Sequence, residues 1–243
     1  MRHGSCSGSG KAGTVSGRRD SAWIDRVAHD LRGPLAPMQT AVYLLREPGV
    51  DAGQHGELLG VLERQIARLS GMISEFSDFG RAETGRLLAR REPVEIASLV
   101  GDVATSLKPC QPDIRLAEGV TGFEVEGDVL RLSQLFRTLL GLQLARGEAT
   151  PVSAHLDTGG TGLRMRCAVR CAGPSDDLAA LLLAGPHPDP PDDTLGFGLM
   201  IARAIATAHG GSLRGRAAGP DTLAFVLELP RAGAAACTAR APG

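Results

Sequence analysis

From Ile24 to Phe76 the apolar residues recur in alternating steps of three and four, a cadence that confines this part of the chain to helices burying one narrow seam. The first run is Ile24, Val27, Leu31, Pro34/Leu35, Met38, Ala41/Val42 and Leu45. The second is Leu59, Leu62, Ile66, Leu69, Ile73 and Phe76. Asp20 or Ser21 is the expected cap of the first helix. Glu47-Pro48-Gly49 ends it, and the chain stays polar and Gly-rich to Gly56. Two such helices joined by a short turn make an antiparallel hairpin. One hairpin covers little of its own stripe, whereas two paired as a four-helix bundle cover both, so a homodimer is expected.

The cadence is lost in the arginine-rich stretch from Arg81 to Arg91, which ends at Pro93 and reads as a domain junction. Beyond it, Val94 to Val103 reads as a short strand running into a helix. Ile114–Leu116 and Phe123–Val125 are strand candidates, and Asp128 to Ala145 is helical with Leu132, Leu135, Leu139 and Leu142 on one side. Val152–Leu156 and Leu163–Val169 form a hairpin across Asp157–Gly162. Leu199–His209 is a helix, and Leu213–Arg216 and Leu223–Leu229 are closing strands. Strands and helices mixed without regular βαβ spacing predict an α+β sandwich. The segment Gly185-Pro-His-Pro-Asp-Pro-Pro-Asp-Asp excludes regular structure and is expected to be a mobile loop. The expected organisation is a flexible tail over 1–19, a helical hairpin over 20–86, an α/β sandwich over 93–231 and a C-terminal tail over 232–243.

Composition removes several alternatives. Hydrophobic residues at 43% support a packed core, and aromatics at 3% make it aliphatic. Lys+Arg 26 against Asp+Glu 27 leaves no basic excess for nucleic acid. The longest apolar run, Leu178 to Ala184, is far short of the roughly 18 residues of a membrane helix. Five cysteines, odd in number, widely spaced and without Cys-x-x-Cys, argue for a reducing compartment with neither disulfide framework nor metal site. A cytoplasmic location is expected.

One residue stands out by its position. With Ile24, Val27 and Leu31 as a, d and a of a heptad, His29 falls at f, the position turned furthest from the seam. Asp30 follows it, and Pro34 one turn later frees a backbone carbonyl. Neutral imidazole is nucleophilic near pH 7, and a carboxylate beside it fixes the ring tautomer. The segment Arg26-Val-Ala-His29-Asp30-Leu31-Arg32-Gly33-Pro34-Leu35 resembles the H-box of two-component sensor histidine kinases. The resemblance implies that His29, assisted by Asp30, accepts the γ-phosphoryl group of ATP and passes it to an aspartate on a response-regulator receiver. Arg26, Arg32 and Gln39 lie along the same helix as candidate receiver contacts. Family members that dephosphorylate their regulator place Thr or Asn four residues after the histidine; Gly33 offers no side chain for that.

The order of elements after Pro93 resembles the family's Bergerat-type ATP-binding sandwich. Leu195-Gly196-Phe197-Gly198-Leu199 resembles its G-box, and Asp128 to Leu140 the approach to its N-box. Gly196 and Gly198 let backbone approach phosphate, and a helix starting near Leu199 offers free N–H groups. The resemblance therefore implies ATP and Mg²⁺, with Thr138, Gly173, Gly196, Gly198 and Leu199 around the nucleotide. The departures are specific. The two N-box asparagines are Thr138 and Leu142, the following lysine is Ala145, the adenine-binding aspartate is Cys171, and the first G-box glycine is Thr194. Leu142 has no oxygen for a metal, and Gln143 points ~100° away around the helix. Asp176, Asp177, Asp192 and Asp193 read as solvated loop charges, and no residue is assigned as a metal ligand. ATP-dependent autophosphorylation is therefore expected to be weak. A histidine phosphotransferase that no longer uses ATP and a non-catalytic dimeric adaptor are the alternatives. With no sensor segment before Asp20, the chain is expected to be a soluble member or the cytoplasmic core of a longer protein.

Overall fold

The computed structural model describes residues 16–108, 110–144, 150–159, 162–188, 190 and 194–233. The chain falls into two compact units, Met1–Met72 and Ile73–Gly243.

The first unit is helical. Helix α1 covers Ser16–Arg32 and α2 Leu35–Leu45, and α3, Ala52–Glu83, continues into the second unit. The first helical run is thus two helices, because Pro34 has no N–H for the carbonyl of Asp30. The amide of Gly33 turns to that carbonyl at 3.2 Å as well as to His29 O at 3.3 Å. Helix α1 begins at Ser16, ahead of the expected cap and inside the stretch read as tail; residues 1–15 lie outside the described residues. Helix α3 also starts early, in the stretch expected to stay loop to Gly56. Asp51 Oδ1 accepts from Gln54 N at 2.8 Å, while Gln54 Oε1 accepts from Asp51 N at 3.3 Å. This reciprocal capping satisfies free N–H groups at the helix start. At its far end Gly85 takes φ +66°, and Arg86 N closes on Arg81 O at 2.9 Å.

The second unit pairs β1 (Glu92–Glu95) antiparallel with β3 (Glu124–Gly127). Its main sheet runs β2 (Asp113–Leu116), β4 (Ser153–Gly159), β5 (Gly162–Arg170), β7 (Thr222–Pro230), β6 (Ser212–Ala217), in that spatial order. Among the described strands only β2 and β4 pair in parallel. Alternation along β5 and β7 buries Leu163, Met165, Cys167 and Val169 against Leu223, Phe225, Leu227 and Leu229, and leaves Arg164, Arg166 and Arg170 outside. Helices α4 (Ile96–Ser106), α5 (Val129–Leu140), α6 (Asp176–Ala184) and α7 (Gly198–Ala208) complete the sandwich, with Leu132, Leu135, Phe136 and Leu139 of α5 fully buried.

Two local expectations, the end of α5 and the loop placement of Asp176 and Asp177, are corrected here. The helix expected to reach Ala145 stops at Leu140, where Gly141 caps it; Gln143 then exchanges two side-chain bonds with the backbone of Thr150. Ala145 lies outside the described residues. The apolar run from Leu178 is a helix, α6, capped by Ser175 Oγ, which accepts from Leu178 N at 3.0 Å. Asp176 and Asp177 form its first turn rather than a loop, and Asp176 accepts from Ala217 N at 2.8 Å. Residues 189 and 191–193 of the proline-rich loop, Asp192 and Asp193 among them, and residues 234–243 of the C-terminal tail lie outside the described residues, while Ala232 N is bonded to Glu124 O.

Candidate functional site

His29 sits on the last full turn of α1. Val27, two residues earlier, is buried at 8% exposure, while the His29 side chain is 85% exposed. The imidazole Nδ1 is 3.4 Å from Asp30 Oδ1, and Arg26 Nε lies 3.6 Å from the other Asp30 oxygen. The arrangement gives Asp30 the Nδ1 side of the ring and leaves the Nε2 side to solvent. Arg32 and Gln39 are exposed. Several seam residues remain in water in the single chain: Ile24, Leu35 and Val42 on the first two helices, and Leu59, Ile66, Ile73 and Phe76 on α3. Leu59, Ile66 and Ile73 are spaced by seven, and so are Leu35 and Val42, which makes two exposed heptad stripes.

A separate cavity of about 260 Å³ lies in the second unit. Its wall includes Thr138, Leu142, Gly196, Gly198 and Leu199, four of these five being residues singled out for a nucleotide. Gly173 and Cys171 are not among the lining residues. Cys171 is buried, its amide bonded to Asp221 O, and burial pushes its thiol pKa up. Gly196 is required twice over. Its φ is +83°, and a Cβ there would stand 2.9 Å from His187 N, whose hydrogen goes to Gly196 O at 2.8 Å. Gly198 leaves room beside Thr138, whose methyl a Cβ would meet at 3.4 Å.

The cavity also contains a residue that the sequence did not mark. Glu75, on the part of α3 that lies in the second unit, accepts from Leu195 N through Oε2 and from Phe197 N through Oε1, both at 2.6 Å. Phe197 caps α7 without a side-chain oxygen of its own. Phe79, one turn beyond Glu75, stacks on Phe197 with ring centroids 4.7 Å apart. Asp78 on the same face is held by Arg131 Nη1 and Gln134 Nε2, each at 2.8 Å. Nothing in the local pattern singles out Glu75: it is one of two polar residues between Ile73 and Phe76, and its partners in Leu195 and Phe197 are 120 and 122 positions away.

Residues 20–85 match the His Kinase A (phospho-acceptor) domain family. Over that segment the chain carries the phospho-acceptor domain of two-component histidine kinases. Among curated relatives, the sensor protein ChvG of Rhizobium meliloti (strain 1021) is 29% identical over 228 residues, 84% of this chain. The chain spans 39% of the length of that relative. Among solved structures, the histidine kinase ThkA in complex with the response regulator protein TrrA aligns with a TM-score of 0.64 at 18% identity, over 89% of this chain and 64% of that one. Full-length ShkA in complex with AMPPNP aligns at 0.59 and 21% identity, over 85% of this chain and 46% of that one. These two likenesses show the fold: a helical region followed by the mixed α/β domain of histidine kinases. No described helix is long and apolar enough to cross a membrane.

Within the second unit a buried polar hub ties α5 to the segment after α3. Asp128 caps α5 by accepting from Leu130 N and Arg131 N through Oδ1, and its Oδ2 accepts from Ala89 N at 2.9 Å and from Arg90 N at 3.4 Å. Burial alone would raise its pKa, but the four backbone donors outweigh that and hold the carboxyl below its ordinary 3.8. The amide of Asp128 donates to His209 Nε2 at 3.0 Å, and His209 Nδ1 lies 2.8 Å from Ile205 O. Those two bonds select the neutral ring with its proton on Nδ1. Burial lowers the His209 pKa, aided by the Arg91 charge and opposed by the Ile205 bond and by Asp128.

Proposed function

We propose that this chain carries a phosphoryl group on His29 and passes it to an aspartate of a response-regulator receiver, as a cytoplasmic homodimer. The observation that carries this reading is the His29 imidazole, turned into solvent with Asp30 beside Nδ1, on a helix that matches the phospho-acceptor family. With the Nδ1 proton directed at Asp30, the Nε2 lone pair attacks phosphorus. The phosphorus–oxygen bond to the donor breaks, and its electron pair leaves with the donor. Asp30 balances the positive charge that the ring acquires. In the second step an aspartate oxygen of the receiver attacks the same phosphorus, and the nitrogen–phosphorus bond returns its pair to the ring. The complex of ThkA with TrrA supports a receiver as partner, and exposed Arg32 and Gln39, with Arg26, are the contacts proposed for it. The two exposed heptad stripes support a second copy of the chain, completing a four-helix bundle. Residues 20–86 are the proposed phosphoacceptor hairpin and 93–231 the proposed nucleotide domain.

ATP is the proposed donor, and the AMPPNP complex of ShkA supports it. The residues present fit a phosphate: backbone amides at the start of α7, with Gly196 and Gly198 opening the approach. They do not fit the metal. Leu142, at the position where the resemblance places the metal-binding asparagine, presents hydrocarbon to the cavity. Losing one electrostatic partner of a reacting phosphate typically costs ~10²–10³ in rate, so slow autophosphorylation is expected. Leu142 also favours the second reading, a phosphotransferase charged by a phosphorylated receiver.

Incubation with γ-³²P-ATP and Mg²⁺, and separately with a ³²P-phosphorylated receiver, tests both. His29→Gln is expected to abolish labelling from either donor while the assembly mass by light scattering is unchanged. Labelling that survives in His29→Gln refutes the site, and label from the receiver alone selects the phosphotransferase.

A further inference from the structure

We propose that Glu75 is an internal competitor for phosphate: its carboxylate occupies the amides of Leu195 and Phe197, and a nucleotide must displace it to bind. The inference rests on the reading of the cavity as a nucleotide site. A helix N-terminus with free amides favours an anion, and helix α7 lacks a side-chain cap of its own, so the carboxylate of a remote helix supplies one. Both Glu75 oxygens are engaged at 2.6 Å, the short distance of charge-assisted bonds. The same carboxylate lines the cavity beside Gly196, Gly198 and Thr138, so its charge stands where a phosphate would.

The placement is supported from both sides. Glu75, Asp78 and Phe79 are three and four residues apart and share one face of α3. Asp78 is fixed by Arg131 and Gln134 of α5, and Phe79 by the ring of Phe197. Two states follow. In one, the last turns of α3 are docked and their carboxylate fills the anion position. In the other, the carboxylate has withdrawn and the amides are free for a phosphoryl group. Whatever shifts α3 then sets nucleotide affinity through Glu75, with the rest of the cavity wall left as it is.

The test is ATP binding by isothermal calorimetry, with and without Mg²⁺, on the full chain and on Glu75→Gln and Glu75→Ala, with amide hydrogen exchange of Leu195 and Phe197 followed in parallel. Removal of the charge is expected to tighten ATP binding at least tenfold. The two amides are expected to exchange faster in Glu75→Ala and to regain protection when ATP is added. Equal affinity in the full chain and both variants, each with a cooperative unfolding transition, overturns the competition and leaves the nucleotide site standing. Absence of binding in all three up to millimolar ATP overturns the nucleotide reading and the competition together. Asp78→Asn covers the case in which either Glu75 variant fails to fold: it loosens α3 while both amides and Glu75 remain. Tighter binding in Asp78→Asn supports the competition, and unchanged binding there opposes it.

Discussion

Replacing Asp128 by alanine removes four hydrogen bonds at once. Two cap α5 through Leu130 and Arg131, and two hold the chain at Ala89 and Arg90, where it leaves α3. Loss of a cap costs about 1 kcal/mol. The Ala89 amide, part-buried and bonded at 2.9 Å, adds about 1–3 kcal/mol when left without an acceptor. The longer Arg90 contact adds less. A destabilisation of about 3 kcal/mol follows, and in a unit of this size that lowers the melting temperature by about 6–12 °C. Asp128→Asn divides the effect. The amide oxygen still caps α5, since asparagine caps as well as aspartate does, but its NH₂ group then opposes the Ala89 donor. It should fall between alanine and the natural residue. Acid provides an independent check. Because the folded carboxyl titrates below 3.8, its contribution is complete above that pH and is lost as the pH falls through the folded value. Urea unfolding at pH 7 and at pH 3 measures both effects. A difference under about 0.5 kcal/mol at pH 7, within the range of ordinary surface substitutions, or one that does not shrink in acid, refutes the hub.

Gly196→Ala combines a left-handed backbone with a Cβ 2.9 Å from His187 N and 3.0 Å from His187 Cβ; a loss of about 2–3 kcal/mol is expected in urea unfolding, with weaker nucleotide binding. His209 takes a proton in the unfolded chain more readily than in the fold. Stability from this residue is therefore complete above its ordinary 6.5 and declines as pH falls below it, so thermal melts between pH 7.5 and pH 5 should drop more steeply for the natural protein than for His209→Gln.

What the sequence conveyed was whatever repeats at short range. The three-four cadence reported the seam helices, and alternation reported β5 and β7, because those periods are set by the backbone itself. Helix ends were less visible. Pro34 announces a freed carbonyl but not that the helix breaks there, which follows once the carbonyl of Asp30 recruits the amide of Gly33. The start of α3 depends on Asp51 and Gln54 bonding to each other's amides, a pair that the glycines around them concealed. Helix α6 offered an apolar run with no helical period, and Ser175 and Asp176 decided it. His29 was legible for the opposite reason: a lone titratable side chain at the exposed position of a regular heptad contradicts no packing rule, so its chemistry is what remains to be explained. Glu75 was not legible, because its meaning lies in two amides more than a hundred residues away and its immediate surroundings are those of any amphipathic helix. The same distance gives it consequence. A carboxylate on one helix caps another helix that has no side-chain cap of its own, and the two are brought together across more than a hundred residues. A contact of that kind forms and breaks as a unit with the helix that carries it, as a reversible brake on an anion site requires.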